Sequence, residues 1–97
     1  MNIKKLNNPN SKFPLGTVVA TPEALRQITR PEIMDALKRH HARDWGILCD
    51  ADKKANEEGL KYGARLLSKY ESQSGVTFWI ITEADRSATS ILLPEEY

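Results

Sequence analysis

WIITEADRSATSILLPEEY, residues 79–97, decides the fold. It places a dense polar turn, 83–87, between two runs whose β-branched and aliphatic side chains suit a pleated surface, and Pro94 then stops the second run. Upstream, Leu66, Ser68 and Tyr70 alternate against Arg65, Leu67 and Lys69, the period of a half-buried strand. Ser72-Gln73-Ser74-Gly75 supplies a second turn before 76–82. Two consecutive hairpins therefore give a three-stranded antiparallel β-meander over the last third of the chain.

The segment before it reads as helical. Thr21-Pro22-Glu23 combines a capping hydroxyl, a proline whose φ already suits a first turn, and a carboxylate at the positive end of the helix dipole. Thr29-Arg30-Pro31-Glu32 has capping-box spacing. Ile33, Met34, Leu37, His41 and Trp45 then recur at three or four residues, which predicts one long helix ending near Gly46 with those side chains buried. Asp50 and Asp52 open a third helix, and Gly63 stands where a left-handed cap belongs. Ala51, Ala55, Gly59 and Tyr62 would share its packed side, so Ala55→Leu is expected to clash.

The run 15–20 forms one short strand, expected at a sheet edge because Pro14 and Gly16 flank it. Residues 1–14 are too polar to repay the entropy of ordering and are expected to be a mobile arm outside the core. The expected architecture is an α+β domain over 15–97: a short N-terminal strand and two or three helices packed on the meander.

At 97 residues and 40% hydrophobic content the chain suits one domain, burying roughly 65% of the surface its unfolded form would expose. Fourteen basic against thirteen acidic residues leave a formal charge of +1, which argues against a purely electrostatic grip on nucleic acid or anionic lipid. Cys49 is the only cysteine, so no internal disulfide forms and no zinc-finger spacing exists. A buried, inert thiol is expected there. No membrane-spanning run or signal-peptide core is present, and cytoplasmic residence is expected.

The candidate site is the turn at 83–87. Glu83, Asp85, Arg86 and Ser87 concentrate charge and hydroxyl groups that can contact a partner, with Arg65 and Trp45 as the neighbouring surface. The same residues also have a purely local reading: Asp85 can cap its own turn and Arg86 can pair with Glu83 across the hairpin mouth. His40 and His41 point about 100° apart on a helix and cannot chelate one metal. His41 is assigned to the apolar stripe and His40 to the basic face, where a general-base role would need a carboxylate from elsewhere. Lys38, Arg39, His40 and Arg43 make a small basic patch that the helix dipole favours without any ligand. Asp50 and Asp52 lack the glycine and glutamate offsets of a calcium loop. No metal site and no cofactor is expected.

The blocks Arg43-Asp44-Trp45-Gly46, Asp52-Lys53-Lys54-Ala55-Asn56-Glu57, Gly63-Ala64-Arg65-Leu66-Leu67-Ser68, 79–87 and Leu92-Leu93-Pro94-Glu95-Glu96-Tyr97 resemble a family of small uncharacterised bacterial proteins associated with plasmids and phages. The resemblance covers roughly residues 35 to 97 and implies mobile-element biology. The expected function is a non-enzymatic interaction protein of a mobile genetic element, binding a protein partner such as a host-defence or replication component. Its alternative is a small metal-dependent hydrolase or nuclease in which Glu83 and Asp85 hold a divalent ion, Arg86 stabilises phosphate charge and His40 or a metal-bound water removes a proton. Nucleic-acid contact and homodimerisation are further possibilities.

Overall fold

A computed structural model describes residues 13–97. The elements run β1 (Thr17–Ala20), α1 (Pro22–Gln27), α2 (Arg30–His41), α3 (Asp50–Tyr62), β2 (Leu66–Glu71), β3 (Thr77–Thr82) and β4 (Ala88–Leu92), closed by a 3₁₀ turn at Pro94–Glu96. The meander is present, with Ser68 opposite Ile80 and Ile80 opposite Ile91. It is extended by β1, which pairs in parallel with β4, so the sheet has four strands in the order β1-β4-β3-β2. The fold is α+β as expected, with one strand more in the sheet.

Helix starts follow the sequence chemistry. The Thr21 hydroxyl accepts the Ala24 amide at 3.1 Å, and Thr29 and Glu32 form the reciprocal capping box. Gly63 caps α3 in the left-handed region at φ 79°.

Helix packing departs from expectation in three places. First, α2 ends at His41, and its buried line is Ile33, Ala36 and His40, while Met34 is exposed. Ile33 is compatible with either line, since neighbours at both three and four residues share a helix face; contacts from the sheet select His40. Second, α3 buries Asn56 and Gly59, whereas Ala51, Ala55 and Tyr62 are exposed, so no clash awaits a larger side chain at Ala55. Gly59 does pack closely: a Cβ there would sit 3.1 Å from Leu66 Cδ2. Third, Cys49 is exposed at the N-cap of α3, not buried.

The main core joins Ala24 of α1 and Ile28 at its C-cap, Ile33 and Ala36 of α2, and Tyr70, Phe78, Ile80, Ile91 and Leu93 from the sheet side. A second cluster holds Phe13, Trp45 and Leu66. Of the arm expected at 1–14, residues 1–12 lie outside the described residues; Phe13, assigned to that arm, is buried. Gly16 sets where β1 joins the sheet. At φ 66° its backbone passes so close to Ser87 that a Cβ would lie 2.3 Å from the Ser87 oxygen, and the Thr17 amide bonds that same oxygen at 3.0 Å. The polar turn therefore docks the start of β1.

Candidate functional site

The two edges of the sheet are finished differently. On β2, alternate residues turn their backbone outward, and these groups are bonded at both Leu67 and Lys69. The Leu67 amide and carbonyl are held by the side-chain amide of Asn56, at 3.0 and 2.7 Å. The Lys69 amide donates to Trp45 O, and its carbonyl accepts from Ile47 N at 2.8 Å. Gly46 permits that approach, since a Cβ on it would stand 1.9 Å from the Lys69 oxygen and its φ is 81°. Sealing of this kind removes a template for another strand.

Among the described residues, β1 has no such cover. Its parallel register with β4, and the bonds Thr17 N to Ser87 O and Thr21 N to Ile91 O, turn residues 17, 19 and 21 toward β4. By strand alternation the amides and carbonyls of Val18 and Ala20 face outward. No described residue bonds them.

Beside this open edge lies an apolar groove of about 310 Å³, lined by Val18, Val19, Ala20, Leu25, Arg30, Ile33, Met34, Leu37 and Ile91. α2 forms its wall and runs back along β1. Ile33 near the start of α2 shares a cluster with Ala20 at the end of β1, and His41 at the other end bonds Phe13 O at 2.9 Å. Val18 is 43% exposed, Val19 48% and Met34 53%, a concentration of accessible apolar surface around four strand residues. Arg30, Met34 and Lys38 recur at four-residue spacing and so form one stripe of α2, of which Arg30 and Met34 line the groove and Lys38 lies one turn beyond. Neither cation is ion-paired among the described residues.

The turn at 83–87 is built differently from its sequence reading. Arg86, at φ 60°, turns its guanidinium inward to three carbonyls: Ala64 O at 2.7 Å, Glu83 O at 3.0 Å and Gly59 O at 3.0 Å. These oxygens terminate α3 and begin the turn, so the cation ties the hairpin to the helix end and does not pair with the Glu83 carboxylate. Asp85 accepts the Ser87 amide at 3.0 Å, the local cap anticipated from sequence, and hydrogen bonds from Ser87 hold its carboxyl below the usual range. Glu83 and Asp85 are exposed. Arg65 binds the Tyr97 hydroxyl and lies 5.2 Å over its ring. Trp45 is a core residue whose indole donates to Glu57 Oε2 at 2.9 Å.

His40 is sealed. It is 0% exposed, with Nδ1 2.6 Å from Ser68 Oγ and Nε2 2.9 Å from Thr82 Oγ1. The protons can be assigned from the far end of this chain of bonds. Thr89 donates to Leu15 O at 2.7 Å, so at 2.8 Å it accepts from Thr82, which therefore accepts from His40 Nε2–H. Nδ1 is left as acceptor for the Ser68 hydroxyl. This arrangement requires a neutral imidazole, and burial, aided by the charge of His41, lowers the pKa of His40 from 6.5 to about 3. A base enclosed in this way has no route to a substrate. No group of three or more His, Cys, Asp or Glu side chains among the described residues is placed to hold a metal ion.

The basic patch also breaks up. Arg39 pairs with Asp44 at 2.7 Å, Arg43 pairs with Glu57, His40 is internal, and of the four only Lys38 has no ion pair among the described residues. No helix among the described residues is long and apolar enough to cross a membrane. No protein-family model, curated protein or solved structure matches the chain.

Sequence reasoning missed the groove because it buried Met34 and read β1 without a neighbour. The available signal was the Arg30, Met34, Lys38 spacing, which places an apolar residue between two cations on one helical stripe.

Proposed function

We propose that this protein is a non-enzymatic binding module that captures an extended segment of a partner protein as a fifth strand beside β1. The observation that carries the reading is the contrast between the edges: the outward groups of Leu67 and Lys69 on β2 are all bonded, while those of Val18 and Ala20 have no partner among the described residues and adjoin an apolar groove. Strand addition draws affinity from main-chain hydrogen bonds and selectivity from pockets for alternate side chains. Both are available here. The polar turn offers Glu83 and Asp85 as exposed charge, but Arg86, Arg65 and Trp45 are engaged within the fold, so it lacks an apolar anchor.

The resemblance of the C-terminal blocks suggests a mobile-element setting, in which the partner would be a host-defence or replication component met in the cytoplasm. That assignment of partner belongs to the proposal.

Amide hydrogen exchange tests the site. A peptide selected from a displayed random library should slow exchange at Val18 and Ala20, whose amides otherwise face solvent. A footprint confined to the 83–87 turn, or to the outer face of β3, would sink the strand-addition reading.

A further inference from the structure

Resting on that reading, we infer that the groove beside β1 selects an extended segment that is both apolar and acidic, with its carboxylates held by Arg30 and Lys38. Length is the first constraint. The open edge spans the four residues of β1, about 13 Å at the rise of a strand, which matches a short linear segment and is small for a stable subunit interface.

Charge is the second. Arg30 and Met34 line the groove, Lys38 lies one helical turn beyond Met34 on the same stripe, just past the lining residues, and no described carboxylate pairs with either cation. The nearest acid on α1, Glu23, already accepts from Arg26 and from Gln27, the latter at 2.8 Å. Arg30 also stands at the first turn of α2, where the dipole adds to its positive potential. An apolar floor between two unpaired cations is complementary to a segment whose carboxylates flank a branched or aromatic side chain.

The same charges disfavour a second copy as occupant. Antiparallel pairing of β1 with its own copy would place the Arg30–Lys38 stripes of both chains along one seam. β1 itself, Thr-Val-Val-Ala, brings no acid to offset them. Met34 suits a pocket that accepts more than one apolar side chain, because its unbranched thioether can repack.

The test uses the full chain and a phage-displayed library of random dodecapeptides, selected against the wild type and against an Arg30→Glu/Lys38→Glu variant. Val18→Pro is the edge control. It removes one outward amide and none of the bonds to β4, and a thermal melt reports whether it remains folded. The expected result is enrichment of Asp or Glu beside an apolar residue among wild-type binders. Synthetic copies should bind about tenfold more weakly to the double variant and lose affinity as salt rises.

Loss of binding in Val18→Pro that leaves its melt intact completes the assignment. If Met34→Glu also abolishes capture, the groove and the edge are shown to act together. Binders that depend on the β1 edge but show no acidic preference, or that bind the charge-reversed variant equally well, overturn the selectivity inference and leave strand addition standing. Binders indifferent to both Val18→Pro and Met34→Glu overturn the two together. Concentration-dependent doubling of mass that disappears in Val18→Pro reassigns the groove to a second copy and overturns the inference.

Discussion

Lowering the pH from 7.5 to 5 should weaken this fold through a single buried imidazole. His40 is neutral in the native state, where every proton of its hydrogen-bond chain is committed, and its pKa falls to about 3 against 6.5 for a free histidine. A group whose folded pKa is depressed in this way, and whose charged form is the acid form, takes up more protons unfolded than folded at any pH between those two values. Stability is therefore highest above about pH 7 and falls as pH drops, the loss growing until pH reaches the folded pKa. Integrated from pH 7.5 to 5, the difference comes to about 2 kcal/mol, a large share of the 5–15 kcal/mol typical of a domain.

The other displaced groups do not share that window. Hydrogen bonds hold the carboxyls of Glu23, Glu32, Asp44 and Asp85 below the usual carboxylate range, so the stability they contribute is present above that range and is lost mainly below pH 5. Urea unfolding at the two pH values should show a midpoint lower by about 1–2 M at pH 5 with an unchanged slope. His40→Gln, less stable at pH 7.5, should flatten this dependence. A midpoint that does not move, or an equal shift in His40→Gln, would refute the claim that this imidazole is sealed and uncharged.

Arg86→Ala should cost about 1–3 kcal/mol, because two carbonyls at the end of α3 and one in the turn lose their donor together. A melting temperature equal to wild type would show the guanidinium to be free. Gly46→Ala should cost about 3 kcal/mol or more and speed exchange at the Ile47 amide, since a Cβ cannot fit 1.9 Å from the Lys69 oxygen. Ala55→Leu, on the exposed side of α3, should stay within about 0.5 kcal/mol of wild type by urea unfolding; a loss of several times that would restore the tight packing read from sequence.

Much of the frame was legible because it depends on local chemistry. The period of two at Leu66, Ser68 and Tyr70 matches their burial, and the caps at Thr21, Thr29 and Gly63 act within one helical turn. What escaped depends on distant partners. His40 and His41 are equally compatible with a stripe beginning at Ile33, and the choice rests with Ser68 and Thr82, which are 28 and 42 residues further along the chain. The role of Arg86 was hidden because its acceptors are backbone carbonyls, which no side-chain pattern announces. The strand expected at a sheet edge near 15–20 does lie at an edge, but β1 carries no local mark that its neighbour is β4 or that the pairing is parallel, so the groove it borders could not be placed from the sequence alone.

The pairing of Thr17 with Ala88, reinforced by the hydroxyl of Thr21 donating to Glu96 at 2.7 Å, also orders events during synthesis. β1 is synthesised before the other three strands, but the strand it pairs with among the described residues emerges last, after β2 and β3. The helices can form in the meantime, since their capping is local, but the sheet cannot close until β4 is free of the exit tunnel. Throughout that interval, among the described residues, neither edge of β1 has a strand to pair with.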